Sequence, residues 1–516
     1  MKNIIALLLF SLFTAIVQAQ PSIIWQTVYG EVAEDEQAEA VIEMPNGGYA
    51  VAGYSGNPSN YNYLITRINS VHEIVWQTII GGIDVEKAYD LVATEDNGVV
   101  VTGSSLSNDG DVGLNNGGVD AWVVKLSDEG EIVWSRVLGG AGEDFFRGIT
   151  ELPDGTFLIT GHSDSANGDF TENLGNKDLW VVKLSSEGEV VWKHNYGGSG
   201  NDSGSDITFD AQQQQIVVIG STSSADGDVS LNKGSRDIWL IRLNMEGTLL
   251  WEKTYGGSLG DFGTSLSLTP DGGVAFISDI ISNDGDITQY FGQGDIWMVR
   301  VDSTGALLWQ RTIGLSALDN GRGIIYDPVS GNVYGLGLNY DPTVSPPNYI
   351  WDIYFIKLDG NNGSVIYTQR FGGSLYDFGN SMIRNSAGNN VIAGYTDSTD
   401  GDLGGGYRQE QPVHGNHDVW VFEVDEFNVG IEEGQAVTDY SALAFIPSLR
   451  AIQITLPFQP TTSGALVITD LYGRVVSKSD TAQNQLISLP GNLPAGLYLA
   501  TLYLDNHRFA IKLMLP

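Results

Sequence analysis

Cysteine is absent from this 516-residue chain. Its absence excludes disulfide bonds, thiolate metal sites and cysteine nucleophiles. A chain of this length can bury a large core without such cross-links. Histidine is scarce as well, and no histidine recurs at a repeated position of the sequence. His414 and His417 lie three residues apart and could share a metal, but a solvated loop is the simpler interpretation.

Basic residues are also few, with 25 Lys and Arg against 63 Asp and Glu, and the formal net charge is −38. Residues 431–516 hold six acids and five bases, so the negative charge belongs to the preceding part of the chain. A surface of this kind repels nucleic acid and anionic membranes, and it favours cations or basic partners.

Long apolar runs are missing except at the beginning of the chain. Lys2 precedes the run Ile4–Val17, which leads into Gln18 and Ala19. A basic start, a short apolar segment and a small residue before the cleavage point predict a secretory signal peptide at residues 1–19. The run is shorter than the ~20 residues of a membrane-spanning helix, which disfavours an N-terminal anchor. We therefore expect a secreted or cell-surface protein with no transmembrane segment after signal removal.

The sequence does contain a repeat of about 58 residues that is marked by tryptophan. Successive units end at Trp25, Trp76, Trp134, Trp192, Trp251, Trp309 and Tyr367. A second tryptophan recurs within the units, as in Asp120-Ala121-Trp122. A period of this size is typical of propellers and solenoids. We interpret the tryptophans as packing between neighbouring sheets rather than as platforms for a ligand.

Each unit reads as four short strands. In the second unit, the strands are Ala88–Ala93, Val99–Gly103, Asp120–Leu126 and Glu131–Leu138. Asp-Gly and Asn-Gly turns separate β-branched runs, which is typical of hairpins. The loop between the second and third strands is long and polar. Four strands per repeat predict an all-β protein.

The number of strands predicts how the repeats close. A fourth-type strand, Ile23–Tyr29, precedes the first complete unit, and the seventh unit lacks a fourth strand of its own. Placing Ile23–Tyr29 in the seventh unit gives seven complete sheets and protects their edges. We therefore predict a seven-bladed β-propeller, residues 20–428, closed by the N-terminal strand.

The phrase from Lys125 to Trp134 resembles the docking motif of quinoprotein-type propellers in its Gly-x-x-x-Trp ending. The likeness covers the outer two strands of each blade. It supports the fold and not the cofactor, because quinoprotein dehydrogenases bind quinone and calcium with further residues and a neighbouring disulfide. A quinone-dependent dehydrogenase is therefore disfavoured.

Acidic residues recur at two loop positions that the propeller topology brings to one face. The long loops carry Asp-Gly-Asp phrases, with candidate metal ligands at Asp109, Asp111, Asp226, Asp228, Asp284, Asp286, Asp400 and Asp402. The blade-to-blade loops place an acid five residues after their first glycine, which predicts an acidic ring at the mouth of the channel: Asp35, Glu86, Asp144, Asp202, Asp261, Asp319 and Asp377.

Two interpretations of these acids stay open. Closely spaced Asp and Asn in loops are suitable oxygen ligands for calcium, the one cofactor that the sequence indicates. The spacing does not match an EF-hand. Alternatively, the loop aspartates bond their own backbone in Asx-turns beside a glycine with positive φ, and the ring acids cap loop amides. The structural interpretation is favoured at both positions.

The repeat stops after Val424, and a polar segment, residues 429–443, predicts a linker. Residues 444–516 alternate strands with Gly and Pro turns, which predicts a small β-sandwich. This region resembles the C-terminal sorting domain of type IX secretion substrates of the Bacteroidetes. The resemblance rests on Asp470, Gly473, Arg474, Pro494, Gly496, Tyr498 and Lys512. It implies export by the type IX machinery, which would be the partner of this domain.

Together these features favour a secreted or cell-surface scaffold without catalytic activity. Its acidic loop face would bind an extracellular protein, a glycan or a cation. The alternative is an extracellular polysaccharide hydrolase or lyase with carboxylates at the channel mouth.

Overall fold

The computed structural model describes residues 21–30, 34–340, 351–404 and 417–425, together with seven strands between residues 443 and 515. The predicted signal peptide (residues 1–19), nearly all of the predicted linker (residues 429–443), and Gly473, Arg474 and Pro494 lie outside the described residues. The described chain forms two compact units, Ser22–Asp425 and a C-terminal unit within Glu426–Pro516.

The first unit consists of seven four-stranded antiparallel sheets. From the inside outwards, their strands are β2 Asp35–Glu43, β3 Tyr49–Asn57, β4 Asn60–Ile68 and β5 Ile74–Ile80 in blade 1; β6 Glu86–Ala93, β7 Val99–Ser105, β8 Asp120–Leu126 and β9 Ile132–Leu138 in blade 2; β10 Asp144–Glu151, β11 Phe157–Ser163, β12 Asp178–Leu184 and β13 Val190–Tyr196 in blade 3; and β14 Asp202–Asp210, β15 Gln215–Thr222, β16 Asp237–Leu243 and β17 Leu249–Tyr255 in blade 4.

The remaining blades follow the same order. Their strands are β18 Asp261–Leu268, β19 Val274–Ile280, β20 Asp295–Val301 and β21 Leu307–Ile313 in blade 5; β22 Asp319–Asp327, β23 Asn332–Tyr340, β24 Trp351–Asp359 and β25 Val365–Phe371 in blade 6; and β26 Asp377–Arg384, β27 Asn390–Thr396, β28 Asp418–Asp425 and β1 Ser22–Tyr29 in blade 7. A short 3₁₀ turn, Gly401–Gly404, lies between β27 and β28. The innermost strands contact one another in a closed circle that runs from β2 to β26 and back to β2.

The N-terminal strand closes the propeller. β1 pairs antiparallel with β28 as the outermost strand of the seventh blade. The indole Nε1 of Trp420 donates to Gln26 Oε1 at 2.9 Å, and Gln26 Nε2 donates to the carbonyl oxygen of Asp402 at 2.9 Å. The prediction of an all-β, seven-bladed propeller closed by its first strand is confirmed.

The hairpin turns follow from the sequence of the repeat. In the turn between β6 and β7, Asn97 has a φ of 61°, and its N–H donates to the carbonyl oxygen of Thr94. Asn tolerates this left-handed conformation better than most residues. The Asp96 carboxylate accepts from Gly98 N–H at 3.2 Å and from the Thr94 hydroxyl. These bonds satisfy the polar groups of a tight turn and fix the register of the two strands.

The tryptophans of the third strands form the core between blades. Trp122, Trp239, Trp297 and Trp420 are completely buried. The tryptophans of the outermost strands instead contact the following blade. Trp76 Nε1 donates to the carbonyl oxygen of Asp128 at 2.7 Å, and Trp134 Nε1 donates to that of Ser186 at 3.0 Å. Each such contact spans 52 residues, so it joins one blade to the next.

The C-terminal unit contains two antiparallel sheets in its described part. One sheet has the order β29-β30-β33 and the other has the order β32-β31-β34-β35. The strands are β29 Leu443–Ile446, β30 Ala451–Ile454, β31 Gly464–Asp470, β32 Val475–Thr481, β33 Leu486–Ser488, β34 Gly496–Leu504 and β35 His507–Leu515. Among the residues that the structure describes, no helix combines the length and the hydrophobicity that crossing a membrane requires.

Candidate functional site

The acidic phrases of the long loops bond to the blade-to-blade loops on one face of the propeller. In blade 4, Asp226 Oδ1 accepts from Ser199 N–H at 2.7 Å, and Asp228 Oδ2 accepts from Gly197 N–H at 3.1 Å. The N–H of Asp228 donates to the carbonyl oxygen of Gly197 at 2.8 Å. Each long loop is thereby held to the loop that enters its own blade. We call this surface the acidic loop face.

The same clamp occurs in five blades. The first acceptor is Asp109, Asn167, Asp226, Asp284 or Asp400, and the second is Asp111, Asp169, Asp228, Asp286 or Asp402. The glycine between the two acceptors has a positive φ of 61° to 68° in all five loops. A Cβ there would collide with the carbonyl oxygen of the blade-to-blade loop, so the position requires glycine.

The loop aspartates are thus engaged with backbone amides while remaining at the surface. Asp109, Asp226, Asp284 and Asp400 are exposed, and each uses one carboxylate oxygen as described. Backbone bonding lowers the pKa values of Asp226 and Asp284. Within the described part of the chain, no group of three or more acidic or histidine side chains is arranged to hold a metal ion.

The acids of the blade-to-blade loops are buried rather than open to the channel. Asp144 is completely buried; its Oδ2 accepts from Gly140 N–H at 2.8 Å and from the Ser165 hydroxyl at 2.8 Å. The equivalent acids are also completely buried and accept from an equivalent amide: Glu86, Asp202, Asp261, Asp319 and Asp377. These carboxylates cap the loops, and a molecule in the channel cannot reach them.

In the first blade, the buried position belongs to Glu36 and not to Asp35. The Glu36 side chain is 2% exposed and accepts from the Ser55 hydroxyl at 3.2 Å. Its N–H donates to the carbonyl oxygen of His417, as Asp144 N–H does to Val119 in blade 3. Asp35 is half-buried and accepts from the Tyr61 hydroxyl at 3.3 Å. Glu36 follows Gly30 by six residues, whereas Asp144 follows Gly139 by five, so counting five residues from the glycine gives the neighbouring residue.

A second carboxylate, buried or half-buried, which the sequence analysis did not identify as a site, accompanies each of these acids except Glu86. The carboxylates of Asp120, at the start of β8, and of Asp144 both lie beside Gly139. Burial, together with the nearby Asp144 carboxylate, raises the pKa of Asp120 to about 6. Completely buried equivalents are Asp178, Asp237, Asp295 and Asp418, and Asn62 stands at this position in blade 1. The Asp that recurs two residues before the third-strand tryptophans was the sequence pattern that could have identified this second carboxylate.

The described residues of the sorting motif lie on adjacent strands of the C-terminal unit. Asp470 in β31 is the register partner of Tyr498 in β34. Gly496 in β34 pairs with Leu515, and Lys512 in β35 pairs with Leu499. The motif residues that the structure describes therefore share one sheet.

A ring of side chains at the central channel is a further feature that the sequence analysis missed. Each innermost strand carries a β-bulge at its middle, and the residue in the bulge lines the channel cavity. These bulge residues are Glu39, Tyr89, Arg147, Ser205, Thr264, Arg322 and Asn380. These seven positions hold six different residue types, and this break in the repeat was the available signal. Bulges commonly redirect a side chain toward a functional site.

Comparison with known proteins adds little on function. No family model matches the chain. An uncharacterized WD repeat-containing protein of Acanthamoeba polyphaga mimivirus is 24% identical over 335 residues, which cover 53% of this chain. The chain spans about a fifth (21%) of that relative's length.

Solved structures that resemble the chain include a WD40 domain and an alcohol dehydrogenase. The WD40 domain of Neurospora crassa Pan2 has a TM-score of 0.45 at 11% identity, covering 79% of this chain and 96% of that domain. A quinohemoprotein alcohol dehydrogenase of Pseudomonas putida has a TM-score of 0.40 at 12% identity, covering 83% of this chain and 79% of its own. The sheet order and strand register described above establish this chain as a seven-bladed β-propeller protein.

Proposed function

We propose that this protein is a secreted or cell-surface binding scaffold without catalytic activity of its own, exported by a type IX secretion system. The acidic loop face is its binding surface. The observation that carries the proposal is the clamp repeated in five blades, which in four of them holds an exposed first-position carboxylate in a fixed arrangement. The partner is positively charged: a basic protein, a basic glycan or a metal cation.

Electrostatics and rigidity both support this assignment. The formal net charge of −38 steers cationic partners toward the protein and repels anionic ones. The loops are already bonded to the blade-to-blade loops, so little conformational entropy is lost when a partner binds. The lowered pKa values of Asp226 and Asp284 keep their carboxylates charged in mildly acidic surroundings.

The alternative, a polysaccharide hydrolase or lyase, requires a pair of carboxylates that a substrate can reach. The buried, amide-bonded acids of the blade-to-blade loops do not meet this requirement. Their burial therefore weighs in favour of the scaffold.

The experiment that tests the loop face measures the affinity of the purified protein for poly-L-lysine by titration calorimetry. The loop variant D109N/D226N/D284N/D400N keeps the oxygen acceptors of the clamps and removes four charges. We expect roughly tenfold weaker binding, because the fixed carboxylates provide the local attraction. Raising the salt concentration should weaken binding to the wild-type protein further.

A matched variant removes four exposed charges from the opposite face, E95Q/E129Q/E187Q/E246Q. Equal weakening by both variants would show that net charge alone is responsible, and the loop face would lose its role.

Calcium is tested separately by thermal unfolding in excess EDTA and then in millimolar calcium. A folded-state calcium site raises the unfolding midpoint, because a ligand stabilises the state that binds it. An unchanged midpoint removes calcium from the proposed partners.

A further inference from the structure

The central channel holds a cluster of positive charge inside an acidic protein. The bulge residues line a cavity of about 410 Å³, a volume that suits a small ligand. Two of them are Arg147 and Arg322, and Arg236 enters the same cavity from the loop before β16. Three arginines in one cavity are notable in a chain with 25 basic residues and a net charge of −38.

Aromatic rings hold two of these arginines in place. The Arg147 guanidinium lies over the Tyr89 ring, 5.3 Å from its centre, and the Arg236 guanidinium lies 5.2 Å from the centre of the Phe262 ring. Stacking occupies the flat side of a guanidinium and leaves the N–H groups on its edge available. In the described part of the chain, none of the three arginines forms an ion pair, and Arg322 Nε is buried without a hydrogen-bond partner.

Two acids also line the cavity and reduce its net positive charge. Asp279 accepts from Gly321 N–H at 2.6 Å and from Asn320 Nδ2 at 3.1 Å, so both of its oxygens are engaged. Glu39 lies within the electrostatic range of Arg322 and Arg147. Burial raises the pKa values of Glu39 and Asp279, so three guanidinium groups against these two carboxyl groups leave the cavity with at least one positive charge. One positive charge, with both acids ionised, is matched by a monoanion.

His162 adds no charge to this balance near neutral pH. Burial, together with nearby Lys177, Arg147 and Arg236, lowers the pKa of His162 to about 3. Its Nδ1 is buried and has no partner among the described residues. A neutral imidazole can donate to or accept from a hydroxyl group of a ligand.

The rest of the lining is suited to hydroxyl groups. Ser205, Thr264 and Asn380 are bulge residues on three different blades, and their side chains both donate and accept hydrogen bonds. The bulge turns each of these side chains toward the channel, and Asn380 Nδ2 also donates to the carbonyl oxygen of Ala38 at 2.9 Å. The cavity thus combines guanidinium groups, which can donate two parallel hydrogen bonds, with neutral polar groups.

We infer that the channel cavity binds a small hydroxylated carboxylate of the size of a sugar acid, whose carboxylate is held by Arg147, Arg236 and Arg322. Arginine matches the planar carboxylate with two parallel hydrogen bonds. Ser205, Thr264 and Asn380 bond the hydroxyl groups. This site is distinct from the acidic loop face and does not rest on the scaffold proposal.

The test is titration calorimetry of the purified full chain with glucuronate, with glucose as the uncharged counterpart. Inorganic phosphate serves as the dianionic comparison. We expect glucuronate to bind and both other probes to bind at least tenfold more weakly. The variants R147Q and R322Q should each weaken glucuronate binding by tenfold or more. Neither side chain has a hydrogen bond to lose within the described residues, so both variants should fold.

The control variant is R136Q, which removes the same charge from outer strand β9. Its affinity for glucuronate should equal that of the wild-type protein. Equal binding of glucose and glucuronate would overturn the proposal, as would tighter binding of phosphate than of glucuronate. Unchanged affinity in R147Q and R322Q would also overturn it. Thermal unfolding of each variant verifies that lost binding is not lost folding.

Discussion

The paired buried carboxylates are the most repeated polar feature of this protein at the level of single residues. In blades 3 to 7, an acid at the start of the innermost strand caps loop amides, and an aspartate at the start of the preceding blade's third strand lies beside it. Oδ1 of Asp120, Asp178, Asp237 and Asp295 has no hydrogen-bond partner in the described residues. Asp144 Oδ1 has none either, but Asp144 Oδ2 accepts from both Gly140 N–H and the Ser165 hydroxyl. A buried, incompletely bonded carboxylate costs stability when it is charged. The two members of a pair therefore differ in what they contribute.

This difference predicts that Asp120→Asn is tolerated or stabilising at pH 7.5, by on the order of 1 kcal/mol. The amide keeps an oxygen that can accept from Asn116 N–H, as the aspartate does, and it removes a buried charge beside Asp144. Asn62 already occupies the equivalent position in blade 1. Urea unfolding measures the change.

The control is Glu129→Gln, an exposed position whose replacement should change the free energy of unfolding by less than about 0.5 kcal/mol. A loss of more than 1 kcal/mol in the Asp120 variant alone would mean that the charged form is required. In that case, an unseen cation or a shared proton would have to stabilise the pair.

At the level of elements, a glycine that lies against a tryptophan joins neighbouring blades at five junctions, as at Gly130 and Gly188. Gly130 in the turn between β8 and β9 has a φ of 79°, and a Cβ there would lie 2.9 Å from the Trp76 ring. Gly188 has the same relation to Trp134. The Gly-x-x-x-Trp spacing of the sequence therefore has two uses. The glycine contacts a tryptophan of the preceding blade, and the tryptophan of the same phrase packs on the following blade.

We predict that Gly130→Ala destabilises the protein by about 2–4 kcal/mol, through the positive φ and through the collision with Trp76. Gly155 is a matched control, because its φ is 75° and no atom lies within 4 Å of the position of its Cβ. Gly155→Ala should cost about 1–2 kcal/mol, which is the conformational cost alone. Equal losses in urea unfolding would show that the tryptophan contact does not constrain the turn.

The sequence predicted the elements well because their causes are local. The tryptophan period, the Asp-Gly turns and the unmatched strand at Ile23–Tyr29 each indicated one structural consequence. The sequence did not predict the directions in which the functional side chains point. The acids that follow the blade-to-blade loops turn inward and accept hydrogen bonds from loop amides, as Asp144 does from Gly140 N–H. The β-bulge turns Arg147 toward the channel. Both depend on backbone geometry that no short pattern encodes.

At the level of the whole molecule, the buried acids determine how stability depends on pH. Burial raises the pKa of Asp90 to about 8, and burial with neighbouring charge raises those of Asp120, Asp237, Asp319 and Asp377 to about 6. A raised carboxyl pKa means that the folded state binds the proton more tightly than the unfolded state. The stability from these groups is present below about pH 4 and is lost as the pH rises through 6 to 8.

We therefore predict a thermal midpoint several degrees higher at pH 5.5 than at pH 7.5. His162 opposes this trend below its ordinary pKa of about 6.5, because it stays neutral when folded, but the acids outnumber it. Below about pH 4 the trend reverses, since Asp96 has its pKa lowered to about 2 and loses its bond to Lys125 on protonation.

A double variant, D120N/D237N, separates this effect from general charge repulsion. Its midpoint should rise less between pH 7.5 and pH 5.5 than that of the wild-type protein. An identical rise would assign the pH dependence to the overall net charge of −38 instead of the buried pairs.

The β-bulge shared by the innermost strands has a consequence for how such a protein can change. The bulge residue has no partner in the strand ladder, so its replacement leaves the pairing of its sheet intact. Seven channel positions can therefore vary without disturbing the strand pairing, although Tyr89 and Arg147 contact each other, while the tryptophans, turn glycines and capping acids preserve the blades. A library that randomises only these seven codons would sample many different channel chemistries on one unaltered framework.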